Sequence, residues 1–274
     1  MQPAFLAAFL VLVPPVHVAQ APAPAAPKPA PTADAPAFVK QTKIMPDGVT
    51  MTADWYPAEK ARAGRAPEVV IVACHMARAS RAEYRAIAPK FGALGWDVLA
   101  IDQRSGEKFG DVVNETAKSA TTALGGTQGF QAAYGDLAFA VQWARELAPG
   151  AKVVLLGSSY SASLAVRYAT SVDGKADLVL AFSPSECLND WTVANDAKSV
   201  RVPVFVTCGD GEREKKNAEP IAEALPASFR RTFWPAAGVK AKHGAQSLLV
   251  ADAAAGEAVW KAVREQVGAL VKPR

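Results

Sequence analysis

The chain has 274 residues, half of them hydrophobic, and a formal net charge of +4. That length can bury one large core or at most two small ones. Basic and acidic residues are dispersed, with no basic stripe interleaved with aromatics, which argues against a nucleic-acid binder.

Ala4 to Val13 is an apolar run followed by Pro14-Pro15 and Ala19-Gln20-Ala21. It is too short to span a bilayer, and Ala-x-Ala fits a leader-peptidase site, so residues 1–21 read as a signal peptide. A periplasmic or secreted protein is expected, with no transmembrane segment in its mature chain. Residues 22–37, almost wholly Ala and Pro, read as a stiff linker of polyproline II bias. No cysteine follows the leader closely, so a lipid anchor is not expected. Cys74, Cys187 and Cys208 each lie in or just after an apolar strand. An odd count leaves at least one thiol free, and cysteine there serves as a small hydrophobe.

From residue 38 to 274 strands and helices alternate. Phe38 to Ile44 and Val49 to Trp55, joined by Met45-Pro46-Asp47-Gly48, predict an opening hairpin. Val69 to Cys74 is a continuous apolar run of the kind buried on both faces of a parallel sheet. A helix over Arg81 to Leu94 stops at Gly95, and Val98 to Ile101 is the next strand, ending at Asp102. Gln103 to Gln128 reads as a long polar loop, ahead of a helix from Phe130 to Ala148 with apolar Tyr134, Leu137, Val141 and Ala144 at helical spacing. Strands are then expected at Val153 to Leu156, Leu178 to Phe182, Val202 to Cys208 and Phe229 to Trp234. Helices are expected over Ala162 to Ala169, Lys216 to Leu225 and Gly256 to Leu270. The pattern predicts one doubly wound α/β domain with a mostly parallel sheet and an antiparallel hairpin at its start.

The chemistry concentrates at Gly157-Ser158-Ser159-Tyr160-Ser161, where an apolar strand meets a helix. A serine at so sharp a turn projects its Oγ from the backbone at the positive end of a helix dipole, and small neighbours let strand and helix approach. Ser159 has the right register: Ser158 would need a small residue at Leu156, and Ser161 would need one at Ser159. A serine hydroxyl needs a base, usually histidine. His17 leaves with the leader, so His75, directly after the first central strand, and His243, in Lys242-His243-Gly244, remain. For an acid, the strand ending at Cys208 is followed by Asp210 and Glu212, and the preceding one by Glu186.

These segments, with Cys74-His75-Met76-Ala77-Arg78-Ala79-Ser80-Arg81 and Asp102-Gln103-Arg104-Ser105-Gly106, resemble the α/β-hydrolase superfamily. The likeness is to its dienelactone-hydrolase-like and small bacterial esterase branch, and runs from Phe38 to the C-terminus. It implies a triad in the chain order Ser, acid, His, which selects Ser159 and His243. The family's acid commonly lies three residues past a strand-end glycine. This places Glu212 first, Asp210 as the alternative and Glu186 last. The oxyanion-hole donors implied are the backbone N–H groups of Tyr160 and of Met76. Ser161 and Met76 stand where the family often has glycine. Fewer than twenty residues separate Ser183 from Val202, too few for a lid, so an open site walled by Trp191 and the 103–128 loop is expected.

The function these residues predict is an exported serine hydrolase of small to medium carboxylic esters, with no cofactor and no metal. Two alternatives stand beside it. One is a non-catalytic binding protein on the same scaffold. The other is an acyltransferase or a thioester or lactone hydrolase using the same triad.

Overall fold

The computed structural model describes residues 38–58, 64–172, 176–250 and 253–271. The leader and linker expected over residues 1–37 lie outside them. The predicted hairpin is present as β1 (Val39–Ile44) and β2 (Thr50–Tyr56), paired antiparallel. Gly48 takes φ +82° in its turn, and Asp47 Oδ1 accepts the Val49 N–H.

The central strands follow: β3 (Val69–Cys74), β4 (Asp97–Ile101), β7 (Lys152–Ser158), β8 (Leu178–Phe182), β9 (Val204–Thr207) and β10 (Arg230–Thr232). A separate small hairpin, β5 (Lys108–Phe109) and β6 (Val112–Val113), lies between β4 and β7 in the chain. The eight-stranded sheet runs β1-β2-β4-β3-β7-β8-β9-β10, antiparallel where β2 meets β4 and parallel from β4 to β10. Residues on β3 and β7 are buried on both faces, as the unbroken apolar runs require.

The helices are α1 (Ala88–Ala93), α2 (Glu115–Leu124), α3 (Tyr134–Leu147), α4 (Tyr160–Tyr168), α5 (Val193–Ala197), α6 (Glu212–Ala224) and α7 (Ala253–Gly268). On one face Leu137 and Val141 of α3, Leu164 of α4, Val193 of α5 and Ile221 of α6 pack against Val70, Val72 and Leu155. On the other, Phe91 of α1 and Val259, Trp260 and Val263 of α7 pack against Ile71, Val154 and Leu156. This is the expected doubly wound arrangement. Among the described residues no helix is long and apolar enough to cross a membrane.

Three elements differ from the sequence reading. The single helix expected over Arg81 to Leu94 is a 3-10 turn at Arg81–Tyr84 and then α1, which starts anew with proline in its first turn. The expected 103–128 loop contains α2, whose N-cap Asn114 accepts the Ala117 N–H at 2.7 Å. The helix predicted from Lys216 begins four residues earlier, at Glu212.

The Arg81–Tyr84 turn is pinned by a buried ion network. Arg81 Nε donates to Asp54 at 2.9 Å and Nη1 to Asp102 at 2.7 Å, and Nη2 reaches Glu115. Asp102 also accepts the backbone N–H groups of Arg81 and Glu115. Removing one partner from such a network leaves a buried charge uncompensated.

Gly157 is required by close approach. A Cβ there would lie 2.3 Å from the Ser161 carbonyl oxygen and 2.6 Å from Ala162 N. The Ser161–Ala162 peptide is backbone and cannot yield cheaply, so Gly157→Ala should cost about 3 kcal/mol or more, read as a lower denaturation midpoint at unchanged slope.

Candidate active site

The strand-to-helix turn after β7 has the geometry the sequence implied. Ser159 sits at φ +60°, ψ −123°, a conformation costly for a residue with a Cβ, and its N–H is held by the Phe182 carbonyl at 2.8 Å. Its neighbours differ from it in accessibility: Ser158 and Ser161 are fully buried, whereas Ser159 is partly exposed. Ser161, in the place where glycine is usual, lies with its Oγ 2.6 Å from His75 O and 2.9 Å from Gln103 Oε1. Its hydroxyl ties the elbow to the turns after β3 and β4.

His243 lies in the loop after β10. The following residue, Gly244, has φ +63° and rests on the elbow: an added Cβ would lie 2.2 Å from Ser158 Oγ and 3.6 Å from Ser159 N. The loop is fastened by the Gly244 N–H to Ser183 Oγ and the Ala245 N–H to Ser158 Oγ, each at 2.9 Å. His243 Nδ1–H donates to Glu214 Oε1 at 2.6 Å, while 46% of the His243 side chain stays open to solvent.

The carboxylate on His243 is therefore Glu214, which corrects the sequence expectation. Glu212 is the exposed first residue of α6. Asp210 Oδ2 accepts the Lys240 N–H at 2.8 Å, and Glu186 accepts the N–H groups of Val193 and Ala194 at the start of α5. Because α6 begins at Glu212, Glu214 sits in its first turn, from which a glutamate reaches back across the helix start as in a capping box. Its Oε2 accepts Ser183 Oγ–H at 2.6 Å and the Gly209 N–H at 3.3 Å. The signal available in the sequence was Gly211-Glu212-Arg213-Glu214 as a helix opening.

The hydrogen bond to Glu214 raises the His243 pKa above 6.5, outweighing partial burial. Burial pushes the Glu214 carboxyl up, but the bonds from His243 and Ser183 outweigh it and hold it below 4.5. For folding, the His243 contribution is full below pH 6.5 and lost as pH rises through its raised pKa; the Glu214 contribution is present above 4.5 and lost as pH falls. A base must be neutral, so a rate that uses His243 should have an acid limb with a midpoint above 6.5 in its kcat/KM profile.

His75 is a core residue. It is fully buried, Nδ1–H donates to Met76 O, and Nε2 accepts from Gln103 N–H at 2.9 Å and Asn114 Nδ2 at 3.1 Å. Burial lowers its pKa and keeps it neutral. The expected oxyanion donor at Met76 also needs correction, because its N–H is engaged by Glu83 Oε2 at 2.7 Å. The next residue, Ala77, has no partner for its N–H among the described residues. Tyr160 is the first residue of α4, where a helix leaves its N–H without an intrahelical acceptor.

Aromatic side chains pack along α4. Phe130 stacks on Tyr160 at 4.4 Å between centroids, and Trp191 packs edge-on to Tyr134 and under the Arg167 guanidinium. A cleft of about 900 Å³ opens along Arg104 to Lys108 and α2. Neither Ser159 nor His243 lines it; it meets the elbow through Ser105, whose Oγ shares a hydrogen bond with Tyr160 Oη at 2.7 Å. Between β8 and β9 the only helix is α5, five residues long. All three cysteines are free, and burial raises the thiol pKa values of Cys74 and Cys208. Among the described residues no cluster of three or more His, Cys, Asp or Glu side chains could hold a metal ion.

No family model and no curated protein matches this chain. Solved structures do. An esterase from Pyrococcus furiosus superposes with a TM-score of 0.59 at 18% identity, over 84% of this chain and 91% of that one. A dienelactone hydrolase from Anabaena variabilis gives 0.60 at 17%, over 84% and 96%. A Xanthomonas campestris protein described as an α/β serine hydrolase without lid gives 0.59 at 16%, over 84% and 94%. The fold is thus the α/β-hydrolase fold.

Proposed function

We propose that this α/β-hydrolase-fold chain is a serine hydrolase that cleaves small to medium carboxylic esters through an acyl-enzyme. The observation that carries the reading is the His243–Glu214 hydrogen bond in a loop laid over the strained elbow at Ser159. Ser159 Oγ attacks the ester carbonyl as His243 Nε2 takes its proton. Glu214 holds the imidazole in the tautomer with Nδ1–H and stabilises the imidazolium. The N–H groups of Tyr160 and Ala77 receive the developing oxyanion. The imidazolium then protonates the leaving alkoxide, and a water activated by the same histidine hydrolyses the acyl-serine, restoring Ser159. The esterase and dienelactone hydrolase activities named for the structural neighbours support this reading.

The test is hydrolysis of a chain-length series of p-nitrophenyl esters together with labelling by a fluorophosphonate. We expect both, with the label on Ser159. Absence of both overturns the reading and favours a binding module, which has no reason to activate a serine.

A further inference from the structure

We propose that Glu83 is a positioning residue of this same site: its ionised carboxylate locks the turn after β3 to the elbow, so that the Ala77 N–H is presented there, and its charge acts on His243. The inference rests on the serine-hydrolase reading for its kinetic part only.

Glu83 lies in the Arg81–Tyr84 turn and is 1% exposed. Its Oε2 accepts the Met76 N–H at 2.7 Å, and its Oε1 accepts Ser158 Oγ–H at 2.8 Å. Ser158 Oγ in turn accepts the Ala245 N–H, and Gln246 Nε2 donates to the Glu83 backbone carbonyl at 3.2 Å. One side chain thus joins the turn before Ala77, the residue before Ser159 and the segment after His243. Its own turn is held rigid by the Arg81 network.

Two groups converge on the two oxygens of Glu83: the Met76 N–H on Oε2 and the Ser158 hydroxyl, which also accepts from Ala245, on Oε1. An ionised carboxylate accepts both bonds at once. Among the described residues no Lys or Arg bridges to it. Arg81 is committed to Asp54, Asp102 and Glu115, and Arg85 to Asp111. Cys74 of β3 and Tyr84 beside it are buried and neutral, and Gln246 carries no charge. Burial pushes Glu83 up to about 7, and the charge of protonated His243 favours its ionised form. The influence is reciprocal, since Glu83 raises the His243 pKa. A buried carboxylate without a salt bridge is costly to keep, and here it spans the pieces of one site.

Glu83→Gln and Glu83→Asp separate geometry from charge. Gln replaces one carboxylate oxygen by an uncharged N–H donor, and Asp keeps the charge on a side chain one methylene shorter. With p-nitrophenyl acetate, both variants should lose at least about tenfold in kcat with KM within about twofold of the parent. The His243 imidazole resonance, assigned by its loss in His243→Gln, should titrate about half a pH unit lower in Glu83→Gln and near the parent value in Glu83→Asp. A purely structural role would lower the melting temperature and leave both readouts unmoved. Parental kcat in either folded variant, or an unshifted His243 titration in Glu83→Gln, overturns the proposal. If Glu83→Gln does not fold, kcat of Glu83→Asp decides. If the parent hydrolyses no ester, the functional reading fails and the His243 titration still decides the role of Glu83.

Discussion

Ser159→Ala is expected to lower kcat for ester hydrolysis by about 10⁶-fold and to abolish fluorophosphonate labelling, with little change in melting temperature. The backbone strain at φ +60° stays with alanine, and Ser159 lends its side chain to no hydrogen bond among the described residues. Ser158 and Ser161 cannot take over: both are fully buried, with hydroxyls committed to Glu83, and to His75 and Gln103. Single-turnover kinetics with p-nitrophenyl acetate and mass spectrometry of the labelled peptide measure the effect. Labelling that survives the substitution would remove Ser159 from the mechanism.

Glu214→Gln should cost about 10⁴-fold in kcat, because the imidazole loses both the acceptor that fixes its tautomer and the charge that stabilises its protonated form. Gln can still meet Ser183 Oγ and the Gly209 N–H through its carbonyl, so the variant should remain folded. The acid limb of kcat/KM should move down, since the bond to Glu214 is the largest cause of the raised His243 pKa. Glu212→Gln and Asp210→Asn, at a solvated helix start and on the Lys240 N–H, should stay within about twofold of the parent. A large loss in Glu212→Gln with none in Glu214→Gln would reverse the assignment.

What the sequence disclosed and what it hid follow from how local each cause is. The apolar runs of β3 and β7 and the small-residue elbow are local, so the parallel sheet and the Ser159 turn were legible. The position of His243 after the last strand was legible too, and its loop lies on the elbow. The carboxylate that pairs with His243 was not, because its identity depends on where α6 starts: a helix opening at Glu212 brings Glu214 back to Ser183 and His243. That the Met76 N–H is engaged was not legible either, because its partner Glu83 lies on another element. Ion pairs such as Arg81 with Asp54 and Asp102 leave no trace in periodicity. The helix α2 had a visible opening in Asn114-Glu115, hidden by the polar character of the stretch around it.

The fastening of the His243 loop has a consequence for how the molecule opens. The Gly244 and Ala245 amides donate to the hydroxyls of Ser183 and Ser158, not to a strand or helix ladder, and β10, the strand leading toward them, is three residues long at the sheet edge. Such a segment belongs to the low-stability end of a folded chain and can detach while the central strands remain intact. Deuterium uptake at these two amides therefore reports whether the loop is seated on the elbow, with no substrate present. In rising urea, turnover should fade together with their protection and ahead of the far-ultraviolet signal of the sheet.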